Sequence, residues 1–204
     1  MSTIGESMPE TLKGWELAAL KDPYSAILEG QDESTFWNHT AGLKFVENLK
    51  KDSIFLDLGC GIGRLARHVS SDTIYYYGVD YSINMIERAR EENKDYLNVT
   101  FLTNNGKDLS LFEDDFFDYV FVCLVFQHVP ISITLGYIEE VFRVLKEGGT
   151  FFCLSVPRAG KYVTGLTEGQ LMNAVEPYTI IEFGQTNSYY RLTLEKPQSD
   201  PKDL

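Results

Sequence analysis

The stretch IFLDLGCGIGRLARHV, residues 54–69, contains the three local patterns that decide the fold. Residues 54–58 form a nearly continuous apolar run, which is typical of a strand buried on both faces. Gly59, Gly61 and Gly63 follow at alternate positions, where the missing Cβ lets the backbone turn tightly and lets a ligand lie against it. The segment that begins at Arg64 has helical character. A strand, a glycine loop and a helix in this order predict a ligand site at the start of an α/β domain.

The remainder of the chain alternates between strands and helices. The sequence pattern predicts strands at 53–58, 73–80, 98–103, 116–125 and 150–157, and an antiparallel hairpin of 178–184 with 188–196. It predicts helices at 11–27, 34–50, 64–70, 82–93, 130–149 and 167–177. Strands joined by crossover helices form a parallel sheet that is covered on both faces, so we expect a doubly wound, mostly parallel α/β fold. The predicted layout is one domain: a helical cap (1–50), a core (51–157), a C-terminal helix and hairpin (158–196) and a flexible tail (197–204).

Two of the predicted helices carry specific boundary signals. Ser82 is a good N-cap for the helix at 82–93, which is expected to turn Met85, Ile86 and Ala89 inward. The helix at 130–149 is expected to begin at Pro130 and to end at Gly148 and Gly149. Its predicted inward stripe consists of Ile131, Leu135, Ile138, Phe142 and Leu145.

Composition restricts the class of protein and of partner. Of 204 residues, 44% are hydrophobic and 24% charged, which is ordinary for a globular protein. Asp and Glu number 30 against 18 Lys and Arg, and the net charge of −12 disfavours nucleic acid as a partner. The N-terminus lacks a basic start with an apolar core, and no run of about 18 apolar residues occurs, so neither export nor a membrane span is predicted.

The three cysteines, Cys60, Cys123 and Cys153, are widely separated in the chain. Their spacing fits neither a disulfide framework nor a zinc site, so a reducing cytoplasm is expected and no metal is predicted. We expect Cys60 and Cys123 to be small packing residues at two strand ends and not nucleophiles.

Two acids and one arginine indicate what kind of ligand the glycine loop binds. Asp57 lies inside the end of the first strand, where a carboxylate is costly to bury without a cationic partner. The dinucleotide fingerprint would place its third glycine at position 64, which is Arg64, and a phosphate would not favour Asp57 nearby. Asp80 ends the second strand 21 positions after Gly59, about the spacing of an acid that accepts hydrogen bonds from ribose hydroxyls. An ammonium group combined with a ribose suggests S-adenosylmethionine; a nicotinamide cofactor is a less favoured alternative.

At these residues the chain resembles the class I, Rossmann-like S-adenosylmethionine-dependent methyltransferases, over about 54–157. The motifs that match are FLDLGCGIGR, GVDYS, NNGKDL and FFDYVFVCLVFQHV. The resemblance implies a seven-stranded sheet whose last strand is antiparallel, with S-adenosylmethionine as cofactor and S-adenosylhomocysteine as product. The family usually has an acid at the adenine edge, where this chain has Asn105, whose side-chain oxygen can still accept a hydrogen bond.

The resemblance also implies which residues contact each part of the cofactor. The methionine part is expected at Asp57, Gly59, Cys60 and Gly61, the ribose at Asp80, and the adenine at Tyr81, Asn105 and Gly106. The fourth strand is expected to line the site with Cys123, Leu124 and Val125. The predicted cofactor-binding set is completed by Gly63, Arg64, Ser82 and Met85.

Catalytic residues are harder to predict than the cofactor site, because transfer from a sulfonium needs alignment more than acid–base chemistry. His128, after the fourth strand, is a candidate base, although a histidine that only hydrogen-bonds its loop is the favoured alternative. His39 in the predicted cap is either a lid residue or a surface residue. Tyr24, Phe36 and Trp37 could stack on a ligand or pack in the core.

The compact acidic chain favours methyl transfer to a small-molecule acceptor. The CLVFQHVP segment lacks the Asn/Asp-Pro-Pro-Tyr motif typical of enzymes that methylate nucleic-acid amino groups, so base methylation is disfavoured. A protein or RNA methyltransferase is the first alternative. A non-catalytic, cofactor-binding regulatory module is the second, and the oligomeric state is left open. Substrate contacts are expected from the N-terminal helices and from 158–170, because both segments should overhang the strand ends.

Overall fold

The central feature of the computed structural model is one twisted sheet at the core of the chain. The structure describes residues 10–24, 42–69, 74–156, 166–185 and 189–199. Within these residues seven strands pair in the order β3-β2-β1-β4-β5-β7-β6. Their bounds are β1 (Ile54–Leu58), β2 (Tyr75–Asp80), β3 (Val99–Thr103), β4 (Phe117–Cys123), β5 (Leu145–Ser155), β6 (Thr179–Gln185) and β7 (Tyr190–Glu195). Only β7 runs antiparallel to its neighbours, β5 and β6, which confirms the predicted mostly parallel sheet with a C-terminal hairpin.

The described helices are α1 (Glu10–Lys21), α2 (Gly42–Val46), α3 (Ala66–Val69), α4 (Ile83–Glu92), α5 (Ile131–Val144) and α6 (Glu168–Ala174), with a 3₁₀ turn at Phe126–His128. The predicted cap on α4 is confirmed, because the Ser82 hydroxyl accepts a hydrogen bond from the Met85 N–H at 3.1 Å. The predicted inward face of α4 is confirmed as well. No helix within the described ranges is long and apolar enough to cross a bilayer.

The inward face and the end of α5 differ from the prediction. The buried side chains of the helix are Thr134, Tyr137, Ile138, Val141 and Val144. Of the predicted stripe, Ile138 and Leu145 are buried, and the other three residues are only partly buried against the same apolar cluster. The helix ends at Val144 because the next residue, Leu145, starts β5 and pairs with Phe117 of β4. Strand pairing therefore ends the helix before the glycine pair is reached.

Side chains alternate between the two faces of the sheet, and each face has its own helical cover. One apolar cluster joins the sheet to α5 and α6, and a second joins it to α2, α3 and α4. In the parallel register of β1 and β2, Phe55 lies opposite Tyr76 and Asp57 opposite Gly78. Residues two apart in a strand share a face, so Asp57 and Asp80 both belong to the face covered by α3 and α4. The fold therefore brings the two predicted site acids to the same side.

β6 is an edge strand of the sheet, and its side chains are largely exposed. Ile180, Ile181 and Phe183 have 46%, 58% and 38% of their surface exposed in the described part of the chain. Glu182 forms an ion pair with Arg191 of β7, which places a charged pair among these apolar side chains. Charged residues on an edge strand oppose pairing with another molecule.

Replacement of Gly63 in the glycine loop should destabilise the fold. Its φ is +74°, and an added Cβ would lie 2.6 Å from the Phe101 ring and 2.9 Å from the Asn93 amide nitrogen. We expect Gly63→Ala to lower the free energy of unfolding by about 2 kcal/mol or more. Gly169→Ala is the matched control, since nothing lies within 4 Å of its added Cβ. Thermal unfolding of both variants checks this expectation, and equal midpoints would contradict it.

Candidate cofactor and active site

The glycine loop after β1 is closed onto the end of β2 by backbone hydrogen bonds. The N–H of Gly59 donates to the Val79 carbonyl at 2.7 Å, and the N–H of Gly61 donates to Asp80 Oδ2 at 2.9 Å. Gly59 and Gly61 have φ of +77° and +54°, a region that residues with a Cβ rarely adopt. A Cβ on Gly59 would lie 2.3 Å from Val125 Cγ2, so glycine is also required here by the approach of the chain after β4. The loop thus joins the carboxyl ends of β1, β2 and β4 at the point where the strand order reverses, which is where ligands bind in such sheets.

Asp80 holds the loop and keeps acceptor capacity for a ligand. Its Oδ1 accepts from the Ser82 N–H at 2.8 Å, and its Oδ2 accepts from Gly61. A carboxylate has about four lone-pair sites, so these two bonds leave capacity for the two hydroxyls of a ribose. Burial raises the pKa of Asp80, the two backbone donors act in the opposite direction, and the nearby Glu16 carboxylate raises it further.

Asp57 is the most deeply buried carboxyl group of the site, with 5% of its surface exposed. The Tyr76 hydroxyl donates to its Oδ2 at 2.6 Å. Burial raises the pKa of Asp57 to about 7, although the Tyr76 hydroxyl and the Arg64 guanidinium both act to lower it. The largely buried Arg64 is thus a cation of the chain itself near Asp57, whereas the sequence led us to expect that cation from the ligand. The carboxyl group is half ionised near neutral pH, which suits a group that gains its full charge when a cation binds beside it.

The residues predicted at the adenine edge lie beside the end of β2. A Cβ on Gly106 would lie 2.6 Å from the Tyr81 ring, so this ring packs directly on the Gly106 backbone. The Asn105 side chain is exposed, and its Oδ1 accepts from the N–H groups of Lys107 and Asp108 at 2.8 and 3.0 Å. The Asn105 oxygen thus stabilises its own turn, and the side chain also hydrogen-bonds to Asp108. The neighbouring Asn104 is buried, and it donates to the Tyr137 hydroxyl at 2.8 Å.

The chain leaves β4 through a turn at Leu124. Leu124 has a φ of +57°, which is uncommon for a bulky residue, and its N–H donates to the Leu154 carbonyl at 2.8 Å. Residues 123–125 are all partly exposed at this strand end. Burial raises the pKa of the Cys60 and Cys123 thiols well above the ordinary value, so both stay protonated near neutral pH. This supports packing roles for both cysteines.

His128 lies in the 3₁₀ turn after β4 and faces the N-terminal helix. Its ring is edge-on to Trp15 of α1, with ring centroids 5.0 Å apart. The Gln127 side-chain nitrogen lies 3.2 Å from His128 Nε2, and because an amide nitrogen can only donate, Nε2 is the acceptor in this pair. His128 thus has both a loop partner and an aromatic partner, and its role as a base stays a prediction.

Helix α1 is attached to the site by a residue that the sequence patterns do not reveal. Glu16 accepts hydrogen bonds from the Ile83 N–H at 3.0 Å and from the Asn84 side chain at 2.5 Å, so it supplies a negative charge at the N-terminus of α4. Ala19 of α1 packs with Met85 and Ile62 in a small apolar cluster. Tyr24 follows α1 and donates to Glu92 at 2.6 Å near the other end of α4.

The structure thus brings most of the predicted cofactor set to three adjacent strand ends. Ser82 and Met85 serve the packing and capping of α4, and Gly63 serves the packing of the loop on Phe101. The predictions for Phe36, Trp37 and His39, and for the segment 158–165, lie outside the described residues. Sequence reasoning missed Tyr76 and Glu16, because each acts on a residue of a different element. No cluster of potential metal ligands occurs among the side chains that the structure describes.

Comparison with known proteins supports the class that this geometry indicates, a nucleoside-binding Rossmann-like domain. Residues 55–149 match a family model described as a methyltransferase domain. A demethylmenaquinone methyltransferase of Staphylococcus saprophyticus is 36% identical over 110 residues, which cover 52% of this chain and 46% of the relative. The chain therefore spans about half the length of the curated relatives it matches.

Solved structures agree with this fold. A methyltransferase from Aquifex aeolicus, described as S-adenosylmethionine-dependent, superposes with a TM-score of 0.63 at 18% identity, covering 94% of this chain and 100% of that one. The 4+2 cyclase SpnF superposes with a TM-score of 0.76 at 17% identity, covering 93% and 97%. At this identity both show the fold alone. The match of residues 55–149 to a methyltransferase domain, together with the curated relatives and the shared fold, supports the predicted resemblance to class I, Rossmann-like S-adenosylmethionine-dependent methyltransferases.

Asp57→Asn should change stability and cofactor binding in opposite directions. The native Asp57 keeps its proton up to about pH 7, whereas an unfolded chain loses it near pH 4, so this group lowers the stability of the ligand-free protein as pH rises through that range. We expect Asp57→Asn to unfold at a higher temperature than the wild type at about pH 8, by a free energy on the order of 2 kcal/mol, and to lose this advantage near pH 5. The variant should also lose most of the stabilisation by S-adenosylmethionine.

Thermal unfolding at the two pH values, with and without ligand, measures both effects. A variant that is less stable than the wild type at both pH values would show that the charge of Asp57 is not the dominant contribution at this position.

Proposed function

We propose that this protein binds S-adenosylmethionine at the carboxyl ends of β1, β2 and β4 and transfers its methyl group to a small apolar acceptor. The observation that carries the proposal is the placement of Asp57 and Asp80 on one face of the sheet, on either side of a glycine loop that is itself hydrogen-bonded to Asp80. This arrangement offers one carboxylate to a cation and another to a diol. The Asp57 carboxylate at the end of β1 would repel a pyrophosphate bound against the loop, which favours a sulfonium nucleoside over a dinucleotide.

The residues present fit the proposed cofactor. Asp57 would hold the ammonium group of the methionine portion, Arg64 is the nearby cation suited to its carboxylate, and Asp80 would hold the ribose hydroxyls. The Tyr81 ring, packed on Gly106, would border the adenine. When bound, S-adenosylmethionine supplies a methyl group on a good leaving group.

The chain's own contribution to the reaction is alignment and exclusion of water. Leu124 and its neighbours Cys123 and Val125 offer an apolar border at the end of β4, and α1 brings Trp15 against His128 on the adjacent side. Such a border suits an acceptor that is held by shape and apolar contact. His128, in the turn after β4, is the candidate base where the acceptor must lose a proton.

Two findings favour a small acceptor over a macromolecule. The net charge of −12 opposes docking of RNA. The curated relatives are named for methyl transfer to demethylmenaquinone, a small molecule, and the match covers 46% of the length of one of them. We therefore propose a small apolar acceptor for this chain as well, acting in the cytoplasm as the three free cysteines suggest.

Ligand-dependent thermal unfolding tests the cofactor part of this proposal. S-adenosylmethionine and S-adenosylhomocysteine, each at about 100 times its dissociation constant, should stabilise the protein by about 2.7 kcal/mol, whereas NAD should have no effect. Asp80→Ala should abolish the shift. Asp95→Ala is the matched control, because Asp95 is exposed and precedes β3, at the opposite end of the parallel strands from the carboxyl ends that form the site. A shift with NAD alone would overturn the proposal.

The identity of the acceptor is tested with a labelled methyl group. Its transfer is measured to a panel of small quinols and phenols, to RNA and to protein. Transfer to the small acceptors is expected. Robust transfer to RNA or protein only would favour the macromolecular alternative, and cofactor binding without any transfer would favour a regulatory module.

A further inference from the structure

The Tyr76 hydroxyl is a hydrogen-bond donor in the interior, aimed at a carboxylate of the proposed cofactor site. Tyr76 lies on β2 with 0% of its surface exposed, and its hydroxyl donates to Asp57 Oδ2 at 2.6 Å. Most tyrosines keep their hydroxyl group in contact with water, since the phenol is otherwise costly to bury. Here the cost of burial is offset by one short bond to a carboxylate, which belongs to the stronger class of hydrogen bonds.

The neighbouring side chains hold the Tyr76 ring in one position. The ring is nearly parallel to Phe55 at a centroid distance of 5.8 Å, and it meets Phe101 at a steep angle at 5.8 Å. Opposite Asp57 in the register is Gly78, where an added Cβ would lie 2.6 Å from Phe101 and 3.0 Å from Cys60 Sγ. The space beside Asp57 is therefore filled by aromatic rings. The Tyr76 hydroxyl reaches the carboxylate diagonally across the two strands, and close packing keeps it there.

The charge state of Asp57 depends on few groups, and Tyr76 is the one in direct contact. The Arg64 guanidinium favours the ionised carboxylate, while Asp80 disfavours it. The Cys60 and Cys123 thiols nearby stay protonated. Burial is the largest influence and brings the pKa of Asp57 to about 7, so loss of one donor would leave the carboxyl group largely protonated at neutral pH.

We propose that Tyr76 is a positioning residue for cofactor binding: its hydroxyl fixes one oxygen of Asp57 and so directs the charged carboxylate toward the ammonium group of S-adenosylmethionine. This inference rests on the proposed function, since it requires that the site bind this cofactor. Tyr76 does not touch the cofactor. It acts through Asp57 alone and therefore affects only ligands that carry the ammonium group.

The test compares Tyr76→Phe with the wild type for two ligands. S-adenosylhomocysteine carries the ammonium group, and 5′-methylthioadenosine has the same nucleoside without it. Tyr77→Phe is the matched control, because Tyr77 is the next residue of β2 and packs against Phe112, Phe116 and Phe117 on the other face of the sheet. Dissociation constants are measured between about pH 6 and about pH 8.5, and circular dichroism verifies that each variant is folded.

The wild type should bind S-adenosylhomocysteine more tightly as pH rises through about 7, because only the ionised Asp57 is competent. If Tyr76→Phe raises the pKa of Asp57 by about one unit, its affinity should be about five- to tenfold weaker at pH 6–7 and nearly equal to that of the wild type at about pH 8.5. Affinity for 5′-methylthioadenosine should not change in either variant, and Tyr77→Phe should follow the wild-type curve.

The possible outcomes separate this inference from the proposed function. Identical pH curves for Tyr76→Phe and the wild type would overturn the inference and leave the proposed function intact. A loss of affinity that is equal at every pH and for both ligands would assign Tyr76 a structural role only and would also overturn it. A wild type that binds neither nucleoside would overturn the proposed function itself.

A second variant covers the case in which Tyr76→Phe does not fold. Tyr76→3-fluorotyrosine retains the hydroxyl and makes it a stronger donor, so the binding curve for S-adenosylhomocysteine should move toward lower pH. An unchanged curve would contradict the proposal.

Discussion

The site depends on one constraint: two carboxylates lie on the same face of the sheet, at the ends of neighbouring strands, with Asp57 buried and Asp80 partly buried. Charges in such positions must be compensated, because transfer of an unpaired carboxylate from water is very costly. The chain meets this requirement differently at the two positions. Asp80 is compensated by backbone N–H groups of the loop and of the α4 cap, so the same bonds that satisfy the acid also define the turn. Asp57 is compensated by a phenol and a nearby guanidinium, which are side chains held by the core.

This difference explains how much of the site can be predicted from the sequence. Asp57, Asp80 and the three glycines are recognisable because their spacing is local and the loop geometry requires it. Tyr76 is one of three consecutive tyrosines in β2, and nothing in the sequence distinguishes them. Its contact with Asp57 follows from the register of β1 against β2, which pairs Asp57 with Gly78, and such a register is set by the whole sheet. Glu16 is equally hidden, because its partners are almost seventy residues away.

The fold was more predictable than its details, for similar reasons. Alternating apolar runs and helical segments predict a doubly wound sheet, and its strand order confirms this. Helix α5 shows the limit of prediction from the sequence. Its apolar residues are dense enough to support more than one inward stripe, and packing against the sheet selects the stripe that contains Tyr137 and Val141. The turn at Leu124 has no sequence signal, because bulky residues seldom adopt a positive φ and the neighbouring strand, through the Leu154 carbonyl, imposes it.

The exposed edge strand β6 has a consequence for how these molecules behave in a concentrated solution. An edge that carries Ile180, Ile181 and Phe183 at its surface can adhere to the same edge of another molecule. Two molecules that each carry a net charge of −12 repel one another before these edges meet, and a repulsion of this kind preserves colloidal stability. Added salt shortens the range of this repulsion from about 10 Å at 0.1 M to about 3 Å at 1 M. The negative net charge therefore opposes association through the apolar edge, and this effect is strongest at low salt concentration.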